Sequence, residues 1–160
     1  MTETLRLAAV IGDPIAHSRS PVLHGHWLKR YGIAGHYVPL HITPDTFAEA
    51  LHILPRMGFI GANVTLPHKH SALSLADKVT PLAQRIGAAN TLTFTDQGIE
   101  ADNTDAYGFT QNIKQAVPGW SPKTVSVIGA GGANRAVLAA LLDLGVTEIR
   151  LSNRSPQRAL

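Results

Sequence analysis

The chain alternates short apolar runs with stretches in which apolar residues recur at helical spacing. This alternation predicts strands that are separated by helices. Strands are expected at 5–12, 36–42, 59–65, 123–129 and 148–152, with a hairpin of NTLTF and GIEAD joined by Asp96-Gln97-Gly98. Helices are expected at 20–32, 43–58, 68–77, 81–87, 105–117 and from the glycine cluster to Gly145. Apolar strands that alternate with helices are typical of parallel sheets wrapped by helices.

Several residues mark the limits of these elements. Ser20 is expected to cap the first helix, with Pro21 at its first position and Gly32 at its end. Pro39 has no N–H for a sheet ladder, so the second strand is expected at an edge or a bulge.

A break in the pattern of strands and helices divides the chain into two α/β units. Pro118-Gly119 and Ser121-Pro122 interrupt the pattern after residue 117. We expect a first unit at 1–104, a linking helix and break at 105–121, and a second unit at 122–160. The second unit has only a strand, a helix and a strand, so we expect the chain to be a truncated form of a longer fold.

The composition excludes several classes of protein. The 160 residues contain no cysteine, which excludes disulfides and thiolate metal sites. The net charge of +3 is mild and the basic residues are scattered, so no nucleic-acid partner is expected. No apolar run could span a bilayer and the N-terminus does not resemble a signal peptide, so a cytoplasmic protein without membrane contact is expected. The histidine pairs 24/26 and 68/70 point to different sides of a helix, so we expect no metal and interpret them as solvated or core-edge residues.

A glycine cluster joins the strand at 123–129 to the helix that follows. Glycines at this place allow a tight turn and a close approach of backbone N–H groups to a pyrophosphate. The match to G-x-G-x-x-G is imperfect, because Asn134 occupies the third glycine position. The context of strand, helix and second strand nevertheless favours a dinucleotide over a turn without a ligand. The expected cofactor-binding residues here are Gly129, Ala130, Gly131, Gly132 and Ala133.

The end of the strand at 148–152 indicates which dinucleotide is bound. NAD sites usually have an acidic residue here, whereas this chain has Asn153, Arg154, Ser155 and, shortly after, Arg158. Guanidinium groups suit a 2′-phosphate, so NADP is the expected cofactor. Surface arginines without a ligand remain the alternative.

Polar residues also follow the strands of the first unit. Ligands in open α/β sheets lie beyond the carboxyl ends of the strands. The candidates for binding a small polyhydroxylated substrate are Ser18, Ser20, Thr65, Lys69, Asn90 and Asp105. Ser20 and Asp105 would be explained equally well as ordinary helix N-caps. Hydrogen bonds within loops are a simpler explanation than substrate binding for Ser18, Thr65 and Asn90.

Lys69 and Asp105 are the only oppositely charged pair among these candidates. A helix start is a poor place for a cation, because the helix dipole opposes it, and this favours a function for Lys69. A lysine in a partly dry cleft can exchange a proton with a substrate hydroxyl while a carboxylate orients it. Both are therefore candidate catalytic residues. The fold expected overall is an N-terminal α/β substrate domain with a parallel sheet, followed by the start of a Rossmann dinucleotide-binding domain.

In order along the chain, GDPIAHSRSP, GANVTLPHK, GAANT, DNTDAYG, VIGAGGANRAV and SNRS resemble the landmarks of the shikimate dehydrogenase family. The resemblance implies reversible, NADP-dependent oxidation of shikimate to 3-dehydroshikimate in aromatic amino-acid biosynthesis, by a monomer or homodimer. It implies that Lys69 is the acid/base and Asp105 its partner, while the other candidates hold the substrate. The serines at 18 and 20 resemble those of enzymes that use shikimate rather than quinate. One departure is Ala89, where the family often has valine.

Two alternatives remain open. One is a quinate/shikimate dehydrogenase that uses NAD, which the basic stretch 153–158 disfavours. The other is a non-catalytic α/β fragment that retains some ligand binding, because the rest of the family's cofactor domain is absent from these 160 residues.

Overall fold

The computed structural model describes residues 5–155, which form eight strands and six α-helices. The strands are β1 (Arg6–Gly12), β2 (Gly35–His41), β3 (Phe59–Val64), β4 (Lys78–Val79), β5 (Thr91–Thr95), β6 (Gly98–Asp102), β7 (Thr124–Ile128) and β8 (Glu148–Ser152). The α-helices are α1 (Ser20–Arg30), α2 (Phe47–Ile53), α3 (Lys69–Ser74), α4 (Pro81–Ile86), α5 (Asp105–Ala116) and α6 (Gly132–Asp143).

The first six strands form one sheet in the order β2-β1-β3-β5-β6-β4. Strand β5 is antiparallel to both of its neighbours, β3 and β6. The other pairings are parallel: β1 pairs with β2 and with β3, and β4 pairs with β6. The expected α/β fold and the hairpin of β5 and β6 are confirmed. Because β5 runs against the others, its amino end lies at the edge where the neighbouring strands have their carboxyl ends. That edge therefore collects the loops after β1, β3 and β6 and the loop before β5.

The core of this unit lies on one face of the sheet. Ala9 and Ile11 of β1 are fully buried against Phe47 and Leu51 of α2 and Leu92 of β5. Burial of aliphatic and aromatic side chains of this size supplies most of the favourable free energy of folding. Pro39 lies in β2, which is an edge strand as the sequence predicts.

The second unit is a parallel pair, β7 and β8, joined through α6. Helix α6 packs against α4 and α5 through small side chains, among them Ala106, Ala136 and Ala140. Arg85 of α4 and Asp143 of α6 form a bidentate salt bridge, with N–O distances of 3.0 and 2.5 Å. Small residues let the helices approach closely, so the second unit is anchored to the first through α4 and α5.

Three expectations about the helices were wrong in detail. Ser20 is the first residue of α1 and Arg19 is the cap, while the Ser18 hydroxyl accepts a hydrogen bond from the Ser20 N–H at 3.3 Å. The helix expected at 43–58 is divided into a 3-10 turn, α2 and a second 3-10 turn that contains Pro55, which has no N–H for a helical hydrogen bond.

The helix expected at 68–77 covers only Lys69–Ser74. The Asp77 carboxylate accepts a hydrogen bond from the Ile99 N–H at 2.7 Å, which draws the chain to the sheet. The unexpected strand β4 follows directly and pairs with β6.

His68 also corrects the interpretation of the histidines as solvated or core-edge. Its side chain is only 1% exposed and stacks on Phe47 with ring centroids 4.4 Å apart. Nε2 lies 2.6 Å from the Ile42 carbonyl oxygen, which satisfies the buried ring nitrogen. His68 therefore anchors the loop that precedes Lys69.

Gly61 tests how closely β3 and β5 approach. A β-carbon at this position would lie 2.5 Å from the Leu92 carbonyl oxygen, and backbone cannot move aside as a side chain can. We expect Gly61→Ala to lower the free energy of unfolding by about 1–3 kcal/mol in urea denaturation.

The matched control is Gly25→Ala within α1, where nothing lies within 4 Å of the new β-carbon. This change should raise stability by roughly 0.5–1 kcal/mol, because alanine favours helix. Equal responses of the two variants would contradict the close approach of β3 and β5.

Candidate active site

Lys69 and Asp105 meet at the edge of the sheet where the loops collect. Lys69 is the first residue of α3, shortly after β3, and Asp105 is the first residue of α5, shortly after β6. Lys69 Nζ donates to Asp105 Oδ2 at 2.5 Å. The Lys69 side chain is 11% exposed and the Asp105 side chain 31% exposed, so the amine is nearly dry while the carboxylate reaches solvent. An ammonium group with so little water needs such a partner.

Asn90 completes the polar centre from the opposite side of Asp105. It directly precedes β5, and its Nδ2 donates to Asp105 Oδ1 at 2.7 Å. Its Oδ1 accepts hydrogen bonds from the Thr104 N–H at 3.0 Å and the Thr91 hydroxyl at 2.9 Å. The two oxygens of Asp105 thus have different partners, Asn90 and Lys69, which holds the plane of the carboxylate.

Asn103 is a structural residue of the site that sequence reasoning missed. Its side chain is 1% exposed, its Oδ1 accepts the Asp105 N–H at 3.0 Å, and its Nδ2 donates to the Ala88 carbonyl oxygen at 2.8 Å. It therefore ties the start of α5 to the loop before β5. The polar run Asp102-Asn103-Thr104-Asp105 was the available signal, because so many polar residues between a strand and a helix need partners if they are buried.

Thr65 follows β3 and lies against the end of β1. A β-carbon on Gly12 would lie 2.6 Å from Thr65 Cγ2, so only glycine leaves room for this side chain. The Thr65 N–H donates to the Ile11 carbonyl oxygen at 2.9 Å, and its own carbonyl accepts the His68 N–H at 3.0 Å. The backbone of the loop that leads to Lys69 is thereby held at both ends.

The structure brings only part of the expected substrate set into direct contact. Lys69, Asn90 and Asp105 form one hydrogen-bonded group. Ser18 and Ser20 bond to each other at the start of α1, and within residues 5–155 no hydrogen bond joins them to that group. Their hydroxyls remain candidates for ligand contacts from the loop after β1.

The glycine cluster lies beside Lys69. A β-carbon on Gly132 would lie 4.0 Å from Lys69 Cδ, so the loop between β7 and α6 borders the polar centre. Gly129 has a φ of +102°, in the left-handed region that favours glycine, and its N–H donates to the Ser152 carbonyl oxygen at 2.7 Å. Gly131 caps α6, whose first N–H groups have no partner within the helix.

Asn134 stabilises this loop although it departs from the glycine pattern. Its Nδ2 donates to the carbonyl oxygens of Gly129, at 2.6 Å, and Ile128, at 3.1 Å. A glycine at position 134 would have no side chain, so these two carbonyl oxygens would lose this hydrogen-bond donor.

The residues after β8 lie at the same edge of the second sheet as the glycine loop, because Ile128 and Ser152 are paired. Asn153 Nδ2 donates to the Ser155 carbonyl oxygen at 2.8 Å, and Arg154 is exposed. Arg158 lies outside the described residues. Between residues 5 and 155, no group of three His, Asp or Glu side chains is placed to hold a metal ion, and no helix is long and apolar enough to cross a membrane.

Comparison with known proteins identifies relatives over almost the whole chain. The family model of the shikimate dehydrogenase substrate binding domain matches residues 10–92. The shikimate dehydrogenase (NADP(+)) of Paracoccus denitrificans is 62% identical over 156 residues, which cover 96% of this chain and 55% of that protein. The enzyme of the same name from Cereibacter sphaeroides is 58% identical over an alignment of 164 positions, which covers 99% of this chain and 59% of the relative.

A solved structure shows the same arrangement of elements. It is the shikimate 5-dehydrogenase of Thermus thermophilus in complex with NADP(H) and shikimate, with a TM-score of 0.88 and 41% identity over 98% of this chain and 58% of that chain. The present chain thus spans between half and two thirds of the length of these relatives. The region that the family model matches includes four of the candidate site residues at the edge of the sheet, Ser18, Thr65, Lys69 and Asn90. The chain belongs to the shikimate dehydrogenase family.

Proposed function

We propose that this chain forms the substrate site and the first part of the cofactor site of an NADP-dependent shikimate dehydrogenase, which oxidises shikimate reversibly to 3-dehydroshikimate. The observation that carries the proposal is the nearly dry ion pair of Lys69 and Asp105, which lies directly beside the glycine loop. The names of the close relatives support the same substrate and cofactor. The enzyme would act in the cytoplasm, in aromatic amino-acid biosynthesis, as a monomer or homodimer.

In this proposal the chain handles the proton of the reaction. In its neutral amine form, Lys69 Nζ takes the proton of the substrate hydroxyl as the alcohol becomes a ketone. The ammonium formed in this way pairs with Asp105 and returns the proton in the reverse direction. Asp105 accepts a hydrogen bond from that amine and so fixes its direction. Asn90 and Asp105 also present polar atoms to neighbouring substrate hydroxyls. Ser18, Ser20 and Thr65 hold the remaining hydroxyl and carboxylate groups.

The residues present fit the cofactor. The turn at Gly129, the open space at Gly131 and the first N–H groups of α6, which have no partner within the helix, suit a pyrophosphate. Gly132, Ala130 and Ala133 add no bulk to this approach, and Asn153, Arg154, Ser155 and Arg158 would hold the adenosine phosphate. When bound, NADP supplies the hydride acceptor.

These assignments divide the chain into three parts. Residues 1–104 would form the substrate and catalytic domain, 105–121 the linking helix and break, and 122–160 the start of the Rossmann domain. The packing of α6 on α4 and α5 supports a fixed position of the glycine loop relative to Lys69.

Lys69→Ala tests the role of the amine. The host for the kinetics is a chimaera in which this chain replaces the matching part of the Paracoccus denitrificans relative. Loss of acid/base catalysis should lower kcat on the order of 100-fold and change KM for shikimate by less than about threefold. Steady-state kinetics give both values.

The matched control is Lys29→Ala, an exposed lysine in the last turn of α1, which should leave kcat unchanged. A kcat of the Lys69 variant within about threefold of the parent would reduce this lysine to a structural residue. If the parent chimaera itself fails to oxidise shikimate, and the 160-residue chain binds it in calorimetry, the chain is a binding fragment instead.

Arg154 and Arg158 test the choice of NADP. Replacing both by glutamine should weaken NADP binding by about tenfold or more and leave NAD binding nearly unchanged, because only NADP carries the 2′-phosphate. Calorimetric titration of both cofactors gives the two affinities. Arg150→Gln is the control, since Arg150 is an exposed arginine of β8 that bonds Glu148. Equal losses for NADP and NAD would reject the assignment.

A further inference from the structure

Three polar side chains outside the site lie on the sheet face beneath α1. They are Tyr37 of β2, Asn63 of β3 and Thr91 of β5, and they line a groove of about 390 Å³ that His24 and Leu28 of α1 border. The groove is otherwise mostly apolar, with Ala8, Ile33 and Ile60 among its lining residues. Polar groups in such surroundings need partners from one another.

These side chains form a continuous series of hydrogen bonds. The Tyr37 hydroxyl donates to Asn63 Oδ1 at 2.7 Å, and Asn63 Nδ2 donates to Thr91 Oγ1 at 3.3 Å. The Thr91 hydroxyl donates to Asn90 Oδ1 at 2.9 Å. Asn90 Nδ2 donates to Asp105 Oδ1 at 2.7 Å, and Asp105 Oδ2 accepts from Lys69. The series therefore runs from Tyr37 to the ion pair.

All donors in the series point toward Asp105. Two contacts orient the Asn63 amide at the start of the series: the Tyr37 hydroxyl faces Oδ1, and Nδ2 also donates to the Asn90 carbonyl oxygen at 3.4 Å. Burial raises the pKa of Tyr37 to about 12, while the nearby Ser20 hydroxyl opposes the rise, so the phenol keeps its proton. A phenol that donates requires the oxygen of the Asn63 amide to face it, which leaves Nδ2 for Thr91. Because the Thr91 oxygen accepts from Asn63, its hydroxyl proton is available to donate to Asn90 Oδ1. Asn90 Nδ2 then faces the Asp105 carboxylate.

The opposite orientation of Asn63 would break the series. Its Oδ1 would face Thr91 and would take the proton that Thr91 now gives to Asn90. The Asn90 amide would then lose its contact with Thr91, and only Thr104 would still donate to its Oδ1, so the amide would be held less firmly against Asp105.

The tyrosine itself is held rigidly. Its ring stacks on His24 with centroids 4.0 Å apart and planes 5° from parallel, and His24 in turn meets Trp27 edge to face. Residue Ala8 of β1 is paired with Tyr37, and its small side chain leaves room for the ring to reach across β1 toward β3.

We propose that Tyr37 is a positioning residue, whose hydroxyl orients the Asn63 amide and, through Thr91 and Asn90, the carboxylate of Asp105 against Lys69. The inference rests on the proposed function for its kinetic consequence, but not for the hydrogen bonds themselves.

Tyr37→Phe removes the hydroxyl and keeps the ring that stacks on His24. In the 160-residue chain, the side-chain amide signals of Asn90 should shift and exchange hydrogen about fivefold faster or more, because the series is no longer held at its first member. Proton–nitrogen correlation spectra measure both. In the chimaera described above, kcat should fall about fivefold, with KM for shikimate within about twofold.

Tyr31→Phe is the control, since Tyr31 is 67% exposed and is not a member of the series. It should change neither the Asn90 signals nor kcat. Unchanged Asn90 signals in Tyr37→Phe would overturn the proposal. A rise in KM with kcat unchanged would also overturn it, because the tyrosine would then act through Ser20 on substrate binding.

Thr91→Val interrupts the series at its middle and keeps the proposal testable if Tyr37→Phe fails to fold. It should reproduce the Asn90 shifts and the loss in kcat, while Thr91→Ser, which keeps the hydroxyl, should restore both. In the double variant the two losses should not add, because both changes break one series. Additive losses would contradict it. A parent chimaera without activity would refute the proposed function alone, since the Asn90 signals still decide the role of Tyr37.

Discussion

The structure depends on one constraint, which is that an ammonium group lies almost without water at the start of a helix. Both desolvation and the helix dipole disfavour a cation at Lys69, so the fold must supply a carboxylate in direct contact. Asp105 can do this only if α5 begins beside α3. Buried Asn103 enforces that position, because it joins the N–H of Asp105 to the loop before β5. Much of the local architecture therefore serves a single pair of side chains.

The reversed direction of β5 is the second requirement. A parallel strand at this position would place its amino end, and Asn90 with it, at the far edge of the sheet. As an antiparallel strand, β5 brings the Asn90 amide to the edge where β3 and β6 end, within 2.7 Å of Asp105. Glycines permit the close contacts that follow. Gly61 lets β3 approach the backbone of β5, and Gly12 leaves room for Thr65.

The packing of the second unit on α4 and α5 determines where the glycine loop lies. Alanines on α5 and α6 allow close helix packing, and the exposed salt bridge of Arg85 and Asp143 lies at the rim of this contact. An exposed pair of this kind contributes little to stability, so the small apolar side chains set the distance. The result is a glycine loop that borders Lys69. In the proposed reaction, the groups that receive the proton and the hydride would thereby meet over one substrate.

The sequence by itself determined the order of most strands and helices, the hairpin and the residues at the strand ends, because these follow from periodicity, turn residues and glycine, whereas the two-residue strand β4 was not expected. It also indicated Lys69 and Asp105, since a cation at a helix start is locally unfavourable and needs a reason. Only the tertiary structure decided that Ser20 is not a cap, that His68 is buried against Phe47, and that Asn103 and Tyr37 are connected to the site. The last three properties depend on contacts between residues 15 to 26 positions apart and on how completely a side chain is desolvated, and neither is encoded in local pattern.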